Sequence, residues 1–328
     1  MSRTRVSVAM ATFDGARFVD EQLSSIANQT RRPDELVVCD DASRDDTAER
    51  VERFAASAPF EVRLERNSTR LTSSPNFEKA VSMATGDLIF LADQDDVWFP
   101  QKVETLSDVL EENPTVGAVF SNARIADADL RPLQMNLWKA LFFTPREREQ
   151  VRRGSAVEVF LKHVVAAGTT MAFRGSYRDL VLPLPPLRDC HDAWIAFLIA
   201  AVADFHILDR DLVTYRIHGK NQFGLHELTL REQFAEARKQ VDVGAFRYAI
   251  DFFSAARERL VAQCDPRLGV GVRTLELIDE KIGHCMVREE MSPRLLRRIP
   301  RILGEALHGR YSRYSYGIKS IAQDVFLR

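Results

Sequence analysis

Short apolar blocks separated by polar turns run through the first 220 residues. Val6-Ser7-Val8-Ala9-Met10 alternates and gives way to Ala11-Thr12-Phe13-Asp14-Gly15, where Asp and Gly mark a turn, so a strand runs into a loop. Phe18, Leu23, Ile26 and Ala27 follow at helical spacing, and Pro33 stops that helix before the strand Leu36-Val37-Val38-Cys39. A helix over 47–56, a strand near 60–64 and a helix over 76–83 lead through Gly86 into Leu88-Ile89-Phe90-Leu91. This βαβαβαβ order predicts an α/β fold with a parallel, doubly wound sheet. A helix over 101–112 and a strand over 116–120 continue it. Residues 121–154 then lose their periodicity and hold Trp138, Phe142 and Phe143, which read either as an exposed loop or lid or as rings packed beneath irregular chain. Strand-like 169–173 follows Gly168, a Pro-rich stretch precedes a helix that opens at 189–194, and a strand over 212–215 closes the series. From 227 onward only helical patterns occur, over 228–260 and 275–286. The expected boundary lies near 225, with a first domain 1–224 (halves of about 1–120 and 121–224) and a helical region 225–328.

Two of these strands end in acid. Leu88-Ile89-Phe90-Leu91 leads into Asp93-Gln94-Asp95-Asp96, and the second strand leads into Asp40-Asp41-Ala42-Ser43-Arg44-Asp45-Asp46-Thr47. In open α/β sheets the carboxyl ends of strands are where ligands bind. Three neighbouring carboxylates repel one another and lose solvation on burial, so the first cluster invites a divalent cation and a diphosphate. Its structural alternative is an acidic loop capping the helix from Gln101. Asp41 is expected to meet a base or ribose, while Asp45 or Asp46 caps the following helix. Asp192 stands where a helix opens, a favourable place for any carboxylate, and His218 beside Gly219 reads in isolation as a turn histidine.

Composition narrows the class without choosing within it. The 328 residues are 45% hydrophobic and 28% charged, as in an ordinary globular protein, and a net charge of -2 gives no electrostatic case for nucleic acid. Cys39, Cys190, Cys264 and Cys285 form no Cys-x-x-Cys pair, which argues against structural zinc or a disulfide framework and for a reducing cytoplasmic setting. No apolar run approaches the roughly 18–20 residues needed to span a bilayer, and the opening residues reach a strand too soon for a signal peptide. Any membrane association is therefore expected to be peripheral.

Motif competition sharpens the reading. Gly-x-x-x-x-Gly-Lys-(Ser/Thr) and a first-strand Gly-x-Gly-x-x-Gly are both missing, which removes P-loop and dinucleotide enzymes. Ala11-Thr12-Phe13-Asp14-Gly15 also lacks the Gly-rich loop of a sugar nucleotidylyltransferase. Asp93-Gln94-Asp95-Asp96-Val97 resembles the loop of haloacid-dehalogenase-type phosphatases, with Asp93 as nucleophile, although that loop follows the first core strand and this one follows the fourth.

Val8-Ala9-Met10-Ala11-Thr12-Phe13, Asp40-Asp41-Ala42-Ser43 with Asp46-Thr47, Asn76-Phe77, Gly86-Asp87, and Asp93-Gln94-Asp95-Asp96-Val97-Trp98 with Pro100 and Lys102 together resemble family 2 glycosyltransferases of the GT-A fold. The Asp-Gln-Asp-Asp-x-Trp form, His191-Asp192-x-Trp194 and Tyr215-Arg216-x-His218-Gly219-x-Asn221-x-x-Gly224 are similar to bacterial rhamnosyltransferase-like members. The resemblance covers residues 5 to about 224. It implies a Rossmann-like, mostly parallel sheet flanked by helices, with a C-terminal helical extension. It further implies that Thr12 and Phe13 border the nucleotide, Asp41 recognises the base, Asp93 lies near the ribose, and Gly168 and Thr169 line the donor sugar. Asp95 and His218 would hold Mn²⁺ or Mg²⁺, and Asp192 would be the general base. Asp96, Trp98 and Trp194 would orient the loop or meet the acceptor. Asn67-Ser68-Thr69-Arg70-Leu71 departs from the glycine that members commonly carry there. The activity implied is inverting transfer of a deoxyhexose such as rhamnose from a dTDP- or UDP-linked donor to a surface-glycan or lipid-linked acceptor. A catalytically silent membrane-associated binding protein on the same fold is the non-enzymatic alternative.

The tail adds a second theme. Residues 291–328 hold eight Lys/Arg against Glu305 and Asp324, which leaves -8 for the preceding chain. Ser292-Pro293 reads as a helix start, and Leu295, Leu296, Ile299, Ile302, Leu303 and Leu307 recur at helical spacing, with Pro300 expected to kink or divide the helix. Such a basic, apolar stripe fits an anionic membrane surface at the inner face of the cytoplasmic membrane, or packing on the catalytic domain or within a homo-oligomer.

Overall fold

The computed structural model describes residues 3–163, 165–188, 190–218, 244–262 and 270–326. Asp189, Cys264, the motif residues Gly219, Asn221 and Gly224, and the helical reading of 228–243 lie outside the described residues. The chain divides into two compact units, Met1–Ala156 with Val165–Leu225, and Val157–Val164 with His226–Arg328.

In the first unit, β1 (Val6–Thr12), β2 (Glu35–Asp40), β3 (Glu61–Arg66) and β4 (Leu88–Asp93) alternate with α1 (Val19–Ala27), α2 (Thr47–Ala55) and α3 (Ser73–Met83). The four strands are parallel in the order β3-β2-β1-β4. β1, β2 and β4 are buried almost end to end, which explains their apolar composition. The chain winds to one side of β1 and then returns to the other, leaving a crevice at the carboxyl ends of β1 and β4.

Downstream lie β5 (Val97–Trp98), α4 (Lys102–Glu112), β6 (Val116–Ala126), β7 (Pro132–Asn136), α5 (Leu137–Ala140), α6 (Pro145–Arg152), α7 (Ala156–Lys162), β8 (Met171–Arg174), α8 (Arg178–Val181), α9 (His191–Ala200) and β9 (Asp204–Arg216). The sheet continues β4-β8-β6-β9-β5, with β7 on β6. β8 is antiparallel to both its neighbours, β9 is parallel to β6, and β5 is antiparallel to β9. The expected mostly parallel, helix-flanked sheet is present, with an antiparallel strand inserted after its parallel half. That insertion has a use. Because β8 opposes β4, the turn that opens it, Gly168–Thr170, lies at the carboxyl end of β4.

Residues 121–154 are more ordered than their pattern predicts. β6 runs through the buried polar pair Ser121 and Asn122, and the Asn122 carboxamide oxygen accepts from the Ala123 and Trp138 N–H groups. Internal satisfaction of a polar side chain breaks the apolar period without ending the strand. Trp138 and Phe143 are 2% and 3% exposed and meet edge to face at 5.2 Å, so the exposed reading holds only for Phe142.

The second unit contains α7 from Val157 onward, with α10 (Ala245–Ala262), α11 (Val272–Glu289), α12 (Leu295–Leu307), α13 (Arg310–Tyr314) and α14 (Ile318–Phe326). α12 starts at Leu295, not at Ser292-Pro293, and carries Pro300 inside one helix. The carbonyl that loses its donor there belongs to Leu296, a residue 84% exposed, so solvent can take the missing role. Among the described residues, no helix is long and apolar enough to cross a membrane.

Candidate active site

Strand register brings the acidic ends together. Thr12 pairs with Asp40 across β1 and β2, and Ala11 pairs with Asp93 across β1 and β4. The loop beyond β4 is fixed from two sides. The Gln94 carboxamide forms a reciprocal pair with Phe13, accepting from its N–H at 2.8 Å and donating to its carbonyl at 2.9 Å. A Cβ on Gly15 would sit 2.1 Å from the Gln94 oxygen, so a side chain there would displace that carboxamide from Phe13. On the other side β5 pairs with the end of β9, Val97 opposite Thr214.

Arg216, at the end of β9, completes the fastening. Its N–H donates to Asp96 Oδ1 at 3.0 Å, and its guanidinium donates to the carbonyls of Asp95 (2.7 Å) and Ala128 (2.8 Å) and to the Glu21 carboxylate. Two residues on, His218 Nε2 lies 2.8 Å from Asp95 Oδ2, with its ring 4.7 Å from that of Phe18. The structure thus joins the two residues expected to hold metal, although 123 positions separate them in sequence.

The electrostatics describe a site with surplus negative charge. Burial, then the charges of Asp96, Asp95 and Asp192, push the Asp93 carboxyl well above the usual carboxylate range, against the pull of Lys102. Burial and Asp95 push Asp96 up to about 7. After burial, all four carboxylates act on the Tyr215 hydroxyl and raise it, which brings Asp192 into the same field as the Asp93–Asp96 loop. Lys102 is the buried counter-charge. It donates to the Thr169 carbonyl at 2.6 Å and lies 3.3 Å from the Trp98 ring centroid, while burial draws its ammonium well below the ordinary lysine range.

α9 supplies Asp192, whose Oδ1 accepts from the Ala193 N–H at 2.7 Å. His191 stacks on Phe77 of α3 at 4.0 Å, and the Cys190 N–H donates to the Ser74 hydroxyl, so α3 positions the start of α9. A Cβ on Gly168 would lie 3.3 Å from the His191 ring and 3.4 Å from Asp192 Cβ, which places the expected sugar-lining turn against the expected base.

Several expected contacts take another form. Asp41 is buried, and its carboxylate accepts from the Leu71 and Thr72 N–H groups and from the Asn67 amide, pinning a turn in which Thr72 holds φ at 79°. Arg70, carried by that turn, covers the Phe13 ring at 3.9 Å. Asp41 therefore holds the 67–72 turn instead of projecting from its own loop. Thr12 is buried too, its hydroxyl donating to Asp40. Asp45, not Asp46, accepts from the Thr47 N–H at the start of α2. Asp96, Trp98 and Trp194 are 1%, 3% and 1% exposed, so all three side chains are packed inside the fold. Trp194 Nε1 donates to the Val181 carbonyl, and Trp98 is the lid over Lys102. Gln94, Arg216, Lys102 and Phe18 are the functional neighbours that residue chemistry alone passed over. Gln94, Lys102 and Arg216 stand within or beside the acidic and histidine motifs, whereas Phe18 carries no such signal.

A model of glycosyl transferase family 2 matches residues 7–179, which span both acidic loops and set aside the phosphatase reading of Asp93. The dTDP-rhamnosyl transferase RfbG of Shigella flexneri is 31% identical over 118 residues, 35% of this chain and 38% of that one. Among solved structures, S. aureus TarS 1–349 in complex with UDP-GlcNAc superposes with a TM-score of 0.55 at 15% identity, covering 94% of this chain and 89% of that one. The mannosyltransferase PcManGT from Pyrobaculum calidifontis, in complex with GDP-Man and Mn²⁺, gives 0.50 at 18% identity, covering 100% and 86%.

Proposed function

Because the chain belongs to glycosyltransferase family 2, we propose that it moves a deoxyhexose, with rhamnose the first candidate, from a dTDP- or UDP-linked donor to a hydroxyl of a surface-glycan or lipid-linked precursor at the inner face of the cytoplasmic membrane. The likeness to RfbG supports rhamnose and dTDP. The observation that carries the reading is the meeting of Asp95 Oδ2 and His218 Nε2 at 2.8 Å in the field of Asp93 and Asp192.

That pair fits a divalent ion. An anionic oxygen and an imidazole nitrogen lie side by side at 2.8 Å, and among the described residues no group of three or more His, Cys, Asp or Glu forms a closed cage. Such a site suits an ion whose remaining ligands are diphosphate oxygens and water. Imidazole ligation favours Mn²⁺, whereas His218 placed on a phosphate oxygen would suit Mg²⁺ equally. When bound, the ion supplies Lewis-acid stabilisation of charge on the departing diphosphate.

The protein's own residues do the rest. Asp192 takes the proton of the acceptor hydroxyl as that oxygen attacks the anomeric carbon from the face opposite the diphosphate. The anomeric C–O bond breaks with its electron pair going to the diphosphate. One displacement inverts the centre, so a β-linked donor gives an α-linked product. Asp93 faces the ribose, Thr12 and Phe13 border the nucleotide, Asp41 holds the loop that faces the base, and Gly168 and Thr169 line the sugar.

The test separates base from metal ligand. Asp192→Asn is expected to lower turnover by about 10² to 10⁴ while nucleotide affinity stays within a few fold; unchanged turnover removes the assignment. Asp95→Ala is expected to abolish the gain in UDP or dTDP affinity that Mn²⁺ gives in calorimetry. A thermal-shift panel of nucleotide sugars with Mn²⁺ and Mg²⁺ identifies the donor.

A further inference from the structure

α12 is sided in a way that packing within its own unit does not explain. Arg298, Ile302 and Glu305 are buried, whereas Leu296, Leu303 and Leu307 are 84%, 55% and 86% exposed and Ile299 is also open to solvent. At about 100° per residue, the four exposed apolar side chains fall within an arc of roughly 80°, and Arg297 and Arg301 lie roughly 80° and 120° past its edge, on the far side of the helix. Six positions of one short helix are thus divided between an exposed apolar stripe and an exposed basic face.

Charge around the stripe is mostly basic, with Glu290 3.9 Å from Arg301 as the nearby exposed carboxylate. Glu305 is turned inward onto His284 and Arg310, and Asp324 onto Arg288 and Tyr311. Every exposed charged side chain described from 291 to 326, namely Arg294, Arg297, Arg301, Arg313 and Lys319, is basic. An anionic lipid surface suits both faces, since its headgroups attract the arginines and its acyl boundary accepts leucine.

We infer that α12 lies in the interface of an anionic phospholipid surface, with Leu296, Ile299, Leu303 and Leu307 inserted at the headgroup boundary and Arg294, Arg297 and Arg301 on phosphates. The inference is independent of the transfer reaction, and so is its test. The full chain is floated with equimolar phosphatidylglycerol/phosphatidylcholine vesicles and with phosphatidylcholine alone. Expected are flotation with the anionic vesicles, at least about tenfold less with the neutral ones, and weakening by salt. Leu296→Glu combined with Leu303→Glu and Leu307→Glu should lose at least about tenfold in binding, as should Arg294→Gln combined with Arg297→Gln and Arg301→Gln. All six side chains are exposed, and an unchanged circular dichroism spectrum and melting midpoint show that each variant is folded. No flotation of the parent chain, equal flotation on both vesicles, or a leucine variant that floats like the parent overturns the inference. So does a dimer in light scattering that the leucine variant dissociates.

Discussion

Arg216 shows how a site can depend on a residue that does no chemistry. Its planar fork reaches the Asp95 carbonyl, the Ala128 carbonyl and Glu21, while its own N–H holds Asp96. A lysine keeps the charge but not the fork. Arg216→Lys is therefore expected to weaken Mn²⁺-dependent UDP binding by at least about tenfold, since the loop carrying Asp95 loses the guanidinium on its carbonyl and keeps only the backbone N–H on Asp96. Calorimetry with and without Mn²⁺ checks this, and equal loss in both conditions would mark a general folding defect instead. The acids themselves were legible, because neighbouring carboxylates at a buried strand end repel one another and lose solvation. Gln94 and Arg216 were not, because they recognise backbone groups, and a side chain that satisfies a carbonyl leaves no pattern in its own neighbourhood. The same reason hid the form of Asp41's role, since its partners at 67, 71 and 72 are brought to it by the third βα connection.

At the scale of elements, β1 to β4 and their helices follow from apolar periodicity because both faces of that half-sheet are covered. Beyond β4 the pattern weakens, as strands there pair with partners distant in sequence and carry satisfied polar residues such as Asn122. The far end of the parallel half-sheet has its own polar knot. Glu35, 1% exposed, accepts from the Ser7 hydroxyl, from the Thr85 N–H (2.6 Å) and hydroxyl (2.9 Å), and from Arg63 (2.6 Å), tying β1, β2, β3 and the turn before β4. Burial alone would raise its carboxyl, but these donors outweigh it and hold the group at about 2, against an ordinary 4.5. A depressed carboxylate contributes stability in full above its unfolded value, and that contribution is lost as pH falls from about 4.5 through about 2. The size is on the order of 3 kcal/mol. Glu35→Gln should accordingly destabilise the protein near pH 7 by roughly 1–3 kcal/mol and flatten the fall in stability between about pH 4.5 and 2. Urea unfolding across that window is the measurement, and parallel curves for parent and variant would refute the linkage.

At the scale of the whole molecule, every residue assigned to donor, metal or base lies in the unit Met1–Ala156 with Val165–Leu225, while the second unit has a polar core of its own. Arg288 donates to both oxygens of Asp324 at 2.7 and 3.1 Å and to Ser315 at 2.9 Å. Tyr311 also donates to Asp324. His284 contacts Glu305 at 2.5 Å and Ser315 at 2.9 Å. Burial pushes His284 down to about 4, so it is neutral near pH 7 and the network is held by Arg288 and Asp324. Removing one partner of such a pair leaves a buried charge uncompensated, at a cost of about 3–5 kcal/mol. Ligand acts on the other unit, where binding to the folded form stabilises it by mass action. Asp324→Asn is thus predicted to lower the calorimetric transition of the helical unit while the transition raised by Mn²⁺ and UDP keeps both its position and its ligand shift. If the ligand-sensitive transition falls by the same amount, the two units unfold as one, and changes in the basic C-terminal helices would then reach the sugar-nucleotide site through stability alone.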